Sequence, residues 1–462
     1  MSGNQPTVFR GEARRPAGRP AEVTVTLTAE GLSVASVTSV AWSAAYRDVT
    51  RVVPDAGAVL LELGDGPAPE RWLFERFGAL TGTLVRGIRD GRLRQWLADG
   101  LAAIDEAATI ELVEVADGPL TGVAQVLVHD RGIALASLAD AAPRLRVRRA
   151  DIGAVEVVLA SGRVRIAGRA GPLARGGVAT VDHVELVGLG AQASRMAGEW
   201  TGRRDAAAAD MAAILAGLVP DLPFDQRSEL ATMLREGVPV AAADVGDAWA
   251  QLESAVLAEP TFAASYRALL AVAGGGSAAR RWLALAPETP GASDSPKAWF
   301  LVALPGNLVA LELVSEGAHA TYCFHVTPRT RYVVDADDRD DVGRAVTDIS
   351  EALIDARFLR EPMAIPAVRL TEPRFLRYRL ALRALPSLAA ARSRFVARIA
   401  HRDDASWAAA IGDLVRWHGS ARDDDAEWPG RATQERDIAD AGDQAIDDDV
   451  GSLAGAAAET EG

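Results

Sequence analysis

The succession of strand and helix signals in residues 21–104 occurs again in residues 118–217, and this duplication restricts the fold more than any other feature of the chain. In the first copy, EVTVTLT, GLSVAS, RDVTRVV, AVLLEL and RWLFERF alternate apolar and polar residues with the period of two expected of strands. Short turns separate them at Ala29-Glu30-Gly31, Pro54-Asp55-Ala56-Gly57 and Gly64-Asp65-Gly66. Gly78 then opens a helix with Leu80, Leu84, Ile88, Leu97 and Leu101 mostly on one face. In the second copy, GVAQVLV, GIALAS, RADIGAVEVV, RVRIAG and VDHVELV follow in the same order, and a helix bearing Met196, Trp200, Met211, Ile214 and Leu215 closes it. The offset grows from 101 residues at the start of the copies to 112 at their end. The extra length fits the loop GRAGPLARGGVA, whose glycines and alanines suit an insertion.

The repeat bears on the stretch VELVGLGAQASRMAGEW, Val184 to Trp200. Strand, G-x-G-x-x-A and helix is how a dinucleotide-binding turn begins. Its counterpart FERFGALTG lacks the second glycine, and the strands before it are turn-linked and so antiparallel. A dinucleotide fold needs a parallel β-α-β unit and an acidic residue after a following strand. Asp205 and Asp210 instead fall within the helical pattern. The motif reads as a glycine-eased corner into the closing helix, and no cofactor is expected.

Several antiparallel strands closed by one C-terminal helix resemble the pleckstrin-homology-like (PH-like) barrel, of bacterial type, in tandem. The resemblance implies an adaptor that binds lipid headgroups, peptides or other proteins. Its lipid-binding members carry clustered basic residues at the first strand turn. The turns taken as equivalent, Thr28-Ala29-Glu30-Gly31 and His129-Asp130-Arg131-Gly132, hold at most one arginine. No binding residue is carried over.

At 462 residues the chain can hold two to four domains of roughly 100–200 residues each, and its 49% hydrophobic content allows real cores. The single cysteine, Cys323, excludes an intrachain disulfide framework and fits a reducing cytosol. The opening MSGNQPTVFRGEARRPAGRP is basic without the apolar stretch of a secretory signal. No apolar run reaches the ~18–20 residues of a membrane span. A soluble cytoplasmic protein with no transmembrane segment is expected. Lys297 is the only lysine among 49 basic residues, a bias that weakens arginine as a sign of phosphate recognition.

The expected fold class is therefore α+β, with tandem PH-like antiparallel barrels each closed by a C-terminal helix, a helical insert, a third α+β unit and a disordered acidic tail. The boundaries are a basic flexible arm over 1–20, PH-like domains over 21–104 and 118–218, the insert over 219–276, and the third unit, read as a degenerate barrel, over 277–361. Basic C-terminal helices follow over 369–419, and the acidic tail over 420–462, too polar to offset its ordering entropy.

Charge is unevenly spread over the net −14. Residues 422–462 hold 13 Asp and Glu against 3 Arg, and residues 369–402 hold 9 Arg against Glu372 alone. A helix over 375–402, kinked near Pro386, is expected to surround an apolar stripe with Arg377, Arg379, Arg383, Arg392, Arg394, Arg398 and Arg402. These seven are the candidate surface for an anionic partner, which the acidic tail could occupy in cis.

Among the histidines only HATYCFH groups chemistry, with His319, Thr321, Cys323 and His325 on one face of a strand. His319 and His325 lie about 20 Å apart at ~3.3 Å per residue, too far for one ion. No metal site is expected, and Cys323 reads as a small buried residue. Nucleophile-elbow, P-loop and H-E-x-x-H patterns are absent, and VDADDRDD lacks the Gly and Glu of a calcium loop. No catalytic residue is assigned. The leading expectation is a non-enzymatic scaffold that presents PH-like surfaces to a protein partner, with peripheral membrane contact as a further role. The alternatives are an enzyme or small-ligand or metal-binding protein with a site near Cys323 and His325, and an anionic-surface binder through 375–402. Nucleic acid is disfavoured by the acidic whole and the lack of a reader motif.

Overall fold

The computed structural model describes residues 6–420 except 30, 37–41, 56, 65–69, 100–110, 116–121, 130–131, 138–143, 170–173, 177–178, 188, 191, 259, 275–278, 288–296, 315–319, 327–340, 357, 359, 373–374, 376–377, 380, 383–384 and 402–403. The protein is α+β and its sheets are antiparallel throughout the described residues. It divides into two compact units, Met1–Arg203 and Arg204–Gly462. No described helix is long and apolar enough to cross a membrane.

The first sheet comprises β1 (Thr7–Arg14), β2 (Ala21–Leu27), β3 (Gly31–Ser36), β4 (Trp42–Ala45), β5 (Val49–Asp55), β6 (Ala58–Leu63) and β7 (Glu70–Glu75), followed by helix α1 (Thr81–Asp99). Their order across the sheet is β4-β3-β2-β1-β7-β6-β5. Alternation along the strands sends Phe9, Val25, Leu32, Val52, Leu61 and Phe74 into one core with Leu84, Val85 and Ile88 of α1.

The second sheet comprises β8 (Glu111–Val115), β9 (Gly122–His129), β10 (Gly132–Ser137), β11 (Arg144–Arg148), β12 (Ile152–Val158), β13 (Arg163–Gly168), β14 (Ala174–Gly176), β15 (Ala179–Val181) and β16 (His183–Val187), followed by α2 (Gln192–Leu218). Its order is β12-β13-β16-β8-β9-β10-β11-β14-β15. With β8 set on β1 and β16 on β7, the order matches the first sheet. The β14–β15 hairpin is extra, and it comes from the insertion read in the sequence.

Both copies begin one strand earlier than the sequence pattern suggests. The flexible arm expected over 1–20 is corrected here. Thr7–Arg14 lies at the centre of its sheet between β2 and β7, with Phe9 and Ala13 buried. Likewise the second copy starts at Glu111 rather than at residue 118.

One glycine recurs for one reason. A Cβ at Gly31 would run into the carbonyl oxygen of Ala44, and a Cβ at Gly132 into that of Val147, each on the next strand. The ladders also align the strand-to-helix corners. Phe74 lies opposite Ala13, and Leu186 opposite Val115. Arg76-Phe77-Gly78 thereby corresponds to Gly188-Leu189-Gly190, with φ at +57° for Gly78 and +51° for Gly190. The first copy thus lacks the first glycine of the pair, not the second, and Arg76 stands in its place at φ +62°. The entering strand β16 is antiparallel to β13 and β8, so this corner lies outside any β-α-β unit.

An L-residue in the left-handed region is disfavoured by roughly 1–2 kcal/mol, a strain that glycine escapes. Arg76→Gly is therefore expected to be more stable than Arg76→Ala by about 1 kcal/mol in urea unfolding. Equal stability of the two variants would mean that the corner is unstrained.

The second unit holds a meander of β17 (Val240–Ala241), β18 (Arg281–Ala286), β19 (Lys297–Leu304), β20 (Leu308–Val314), β21 (Ala320–His325) and β22 (Phe395–Ala400). Its strand order is sequential and does not repeat that of the other two sheets. The helices of the unit are α3 (Phe224–Met233), α4 (Ala242–Val245), α5 (Trp249–Val256), α6 (Pro260–Val272), α7 (Asp341–Asp355), α8 (Glu361–Ala364), α9 (Pro386–Arg394) and α10 (Asp404–Ser420). Trp249, Leu252, Tyr266, Leu269, Trp407 and Ile411 share one core with Leu283, Phe300, Ala310 and Cys323 of the sheet. Residues 219–276 are therefore part of this unit's core rather than a separate insert. On the opposite face, Trp299 donates from Nε1 to Ser350 Oγ of α7 at 3.0 Å and meets Phe358 edge-on.

The basic helix expected over 375–402 is also corrected. Helix α9 ends at Arg394, and the next six residues form strand β22, whose Val396 and Ala397 are buried. Arg377, Arg383, Arg402, His319 and the acidic stretch 421–462 lie outside the described residues.

Candidate functional site

On the face of the first sheet away from its core, β1, β2 and the end of β3 bound a cleft of about 670 Å³. Arg10, Glu12, Glu22, Thr24, Ser36 and Arg76 line it. The β1–β2 register sets Arg10 opposite Thr24 and Glu12 opposite Glu22. Like charges directly opposed on a sheet destabilise it. Arg76 relieves the repulsion, its Nη1 lying 2.6 Å from Glu12 Oε1. Arg10 and Glu22 form no ion pair among the described residues.

The equivalent positions of the second copy are Leu112 for Arg10, Glu114 for Glu12, Val123 for Glu22 and Gly188 for Arg76. Three of the four charges are therefore particular to the first copy.

The missed strand also relocates the first turn. Residues 28–30 connect β2 to β3, while the β1–β2 turn is Arg15–Pro20, which follows Arg14 and contains Arg15 and Arg19. Two of these arginines are neutralised locally. Arg14 Nε sits 3.3 Å from Glu75 Oε2, and Arg15 Nη2 sits 2.7 Å from Glu70 Oε1 while its guanidinium lies over Trp72.

A second concentration of chemistry lies in the third sheet, where the sequence places the alternative site. Glu312 and Thr321 are closed to solvent, on neighbouring strands β20 and β21. The Thr321 hydroxyl donates to Glu312 Oε2 at 2.6 Å and accepts from Trp407 Nε1 at 3.0 Å. His401 Nε2 lies 2.9 Å from that hydroxyl and 3.2 Å from Glu312 Oε1. The hydroxyl and the carboxylate both face the same imidazole nitrogen, so the three residues do not form the relay in which acid and nucleophile sit on opposite nitrogens. Glu312 was missed in the sequence; a lone carboxylate inside the apolar run NLVALELVS is the signal that marks it.

Cys323 is fully buried beside this cluster. Burial first, and the negative charge of Glu312 second, push its thiol up to about 12. The protonated thiol is therefore the native form at neutral pH, and it is no nucleophile. A thiol raised on folding contributes its stability below the unfolded value near 8.5, and that contribution is lost as pH climbs towards 12. Stability is thus expected to fall from about pH 9 upward by as much as ~1.4 kcal/mol per pH unit more in the native chain than in Cys323→Ala. Identical pH profiles of the two proteins in urea unfolding would refute this.

His325, at the end of β21, is joined to His418 of α10, Nδ1 to Nε2, at 2.6 Å. Among the described residues no three His, Cys, Asp or Glu side chains are grouped to hold a metal ion.

The four described arginines of the expected anionic surface bond to their own unit. Arg394 is buried, pairs with Asp348 at 3.0 Å and donates to the Val326 carbonyl. Arg392 donates to Pro362 O at 2.7 Å, Arg398 to the Tyr322 hydroxyl at 3.3 Å and Arg379 to Leu370 O at 3.5 Å.

No protein-family model matches the chain, and a search of curated proteins finds no match.

Proposed function

We propose that the chain is a non-enzymatic cytoplasmic scaffold built on tandem PH-like modules, the first of which holds a protein partner in the cleft at Arg10, Glu12, Glu22 and Arg76. The observation that carries this reading is the strand order 4-3-2-1-7-6-5 followed by a helix, found twice in one chain. Antiparallel strands with a closing helix are what the PH-like resemblance rests on, and members of that group act as adaptors. The copies diverge at the cleft, where the first carries four charges and the second keeps only Glu114, its other three positions being apolar or glycine. The two arginines and two glutamates of the cleft balance. A segment bearing an acidic group for Arg10 and a basic group for Glu22 is complementary to them, whereas a polyanionic headgroup would meet both carboxylates.

The Glu312–Thr321–His401 cluster supports a structural role rather than turnover. The hydroxyl donates to Glu312, accepts from Trp407 and has His401 Nε2 against it, and it is closed to solvent, so no reacting atom can reach it. Selection from a random peptide library on the full chain tests the proposal. Peptides that carry an acidic and a basic residue a few positions apart should be enriched, and should be lost on a chain carrying Arg10→Ala and Glu22→Ala. Enrichment of the same peptides on both proteins would overturn it.

A further inference from the structure

We infer that the free edge of β4 docks an extended segment of a protein partner, which joins the first sheet as an added antiparallel strand. The second copy supplies the template. There the corresponding strand, β11, is not terminal: β14 pairs with it, Ala174 opposite Val147, and β15 completes the hairpin. The first copy has no such insertion, and among the described residues β4 ends its sheet. Gly31 opposite Ala45 corresponds to Gly132 opposite Arg148, so Ala44 holds the place that Val147 offers to β14.

The two ends of the first sheet differ in protection. Proteins blunt terminal strands with charges, proline, bulges or covering groups. At the far end, β5 carries Arg51 and Pro54, its ladder with β6 shifts register between Val49 and Arg51, and Arg89 of α1 donates to the Val52 carbonyl at 2.8 Å. At the near end, β4 is short, four residues reading Trp42-Ser43-Ala44-Ala45, but it carries no charge or proline, and its register with β3 runs unbroken from Gly31 to Val34. Ser43 and the two alanines leave room for a strand at the usual ~4.8 Å spacing. Trp42, half-buried and stacked on Trp72 at 5.1 Å between ring centres, gives an arriving side chain an aromatic platform.

The occupant is a strand with a small residue facing Ala44, as Ala174 faces Val147, and backbone hydrogen bonds supply most of its affinity. This contact extends the interaction-module reading and does not require the cleft.

A synthetic peptide of residues 172–182, PLARGGVATVD, is the probe, added to the full chain up to millimolar concentration. Saturable one-to-one binding is expected, with amide hydrogen exchange slowed at Trp42–Ala45 and unchanged at Arg144–Arg148. Ser43→Lys and Ser43→Glu, at an exposed position, should each weaken binding at least tenfold, while Arg10→Ala with Glu22→Ala leaves it intact. Absence of binding, or protection at β11 or the cleft instead of β4, overturns the inference. So does a dimer of the full chain by light scattering that Ser43→Lys dissociates, since the edge would then belong to a second copy. Loss of mixed-charge peptide selection with this binding retained would count against the cleft alone.

Discussion

Asp348→Ala is expected to destabilise the second unit by about 3–5 kcal/mol, because it leaves a buried guanidinium without its carboxylate. Arg394 sits at the last position of α9 and is 4% exposed. Its Nη2 meets Asp348 Oδ2 of α7 at 3.0 Å, and its Nη1 donates to the Val326 carbonyl. An arginine cannot shed its proton in a protein, so the charge has no route to neutrality once the carboxylate is gone. Glu312 is different: stripped of its imidazole, the carboxylate still accepts from the Thr321 hydroxyl, which caps the loss. His401→Ala is therefore expected to cost less than Asp348→Ala. Adding Arg394→Met to Asp348→Ala should recover much of the stability, since a buried pair exchanged for an apolar side chain is often neutral. Urea unfolding followed by tryptophan emission measures all of these. A loss below about 1 kcal/mol for Asp348→Ala would show that water reaches the guanidinium.

The second large effect is a clash with a remedy written elsewhere in the chain. A Cβ on Gly11 would stand 2.6 Å from the Phe77 ring and 2.7 Å from the Glu75 carbonyl oxygen. Gly11→Val is thus expected to cost about 3 kcal/mol, the upper range for overpacking. In the second copy the equivalent positions hold Val113 and Leu189, a larger strand residue and a smaller corner residue. Gly11→Val combined with Phe77→Leu should therefore be less damaging than the two single losses added together, with a coupling of roughly 1–2 kcal/mol in a double-mutant cycle. Additive losses would falsify the equivalence of the two corners, and with it the alignment that places Arg76 on Gly188.

The parts of the fold legible in the sequence are those whose side chains alternate cleanly. Val23, Val25 and Leu27 of β2, or Val59 and Leu61 of β6, announce a period of two, and so do their partners in the second copy. In β1 the signal is masked: Gly11 occupies a core-side position to admit Phe77, and Arg10, Glu12 and Arg14 make TVFRGEAR look like a charged arm. Its two neighbours, β2 and β7, lie at very different sequence distances, which local periodicity does not register. In β22, FVARIA follows directly on a helix, and Arg394 and Arg398 lent the whole stretch an amphipathic helical spacing. Burial of Arg394 depends on Asp348, 46 residues earlier. The cleft was hidden with β1, since two of its four charged residues lie on that strand. Glu312 was readable in principle, because a carboxylate in a strand apolar on both sides must find partners, but His401 and Trp407 are supplied by a different part of the chain.

The central position of β1 bears on how the protein is made. Of its two sheet neighbours, Thr7–Arg14 can engage only Ala21–Leu27 until Glu70–Glu75 has been synthesised. For that interval one side of the nascent hairpin is an open ribbon of amide and carbonyl groups, and the Glu12–Arg76 contact cannot yet form. Translation speed across residues 28–75 thus becomes a determinant of yield, and a factor that shields extended nascent chains would act there.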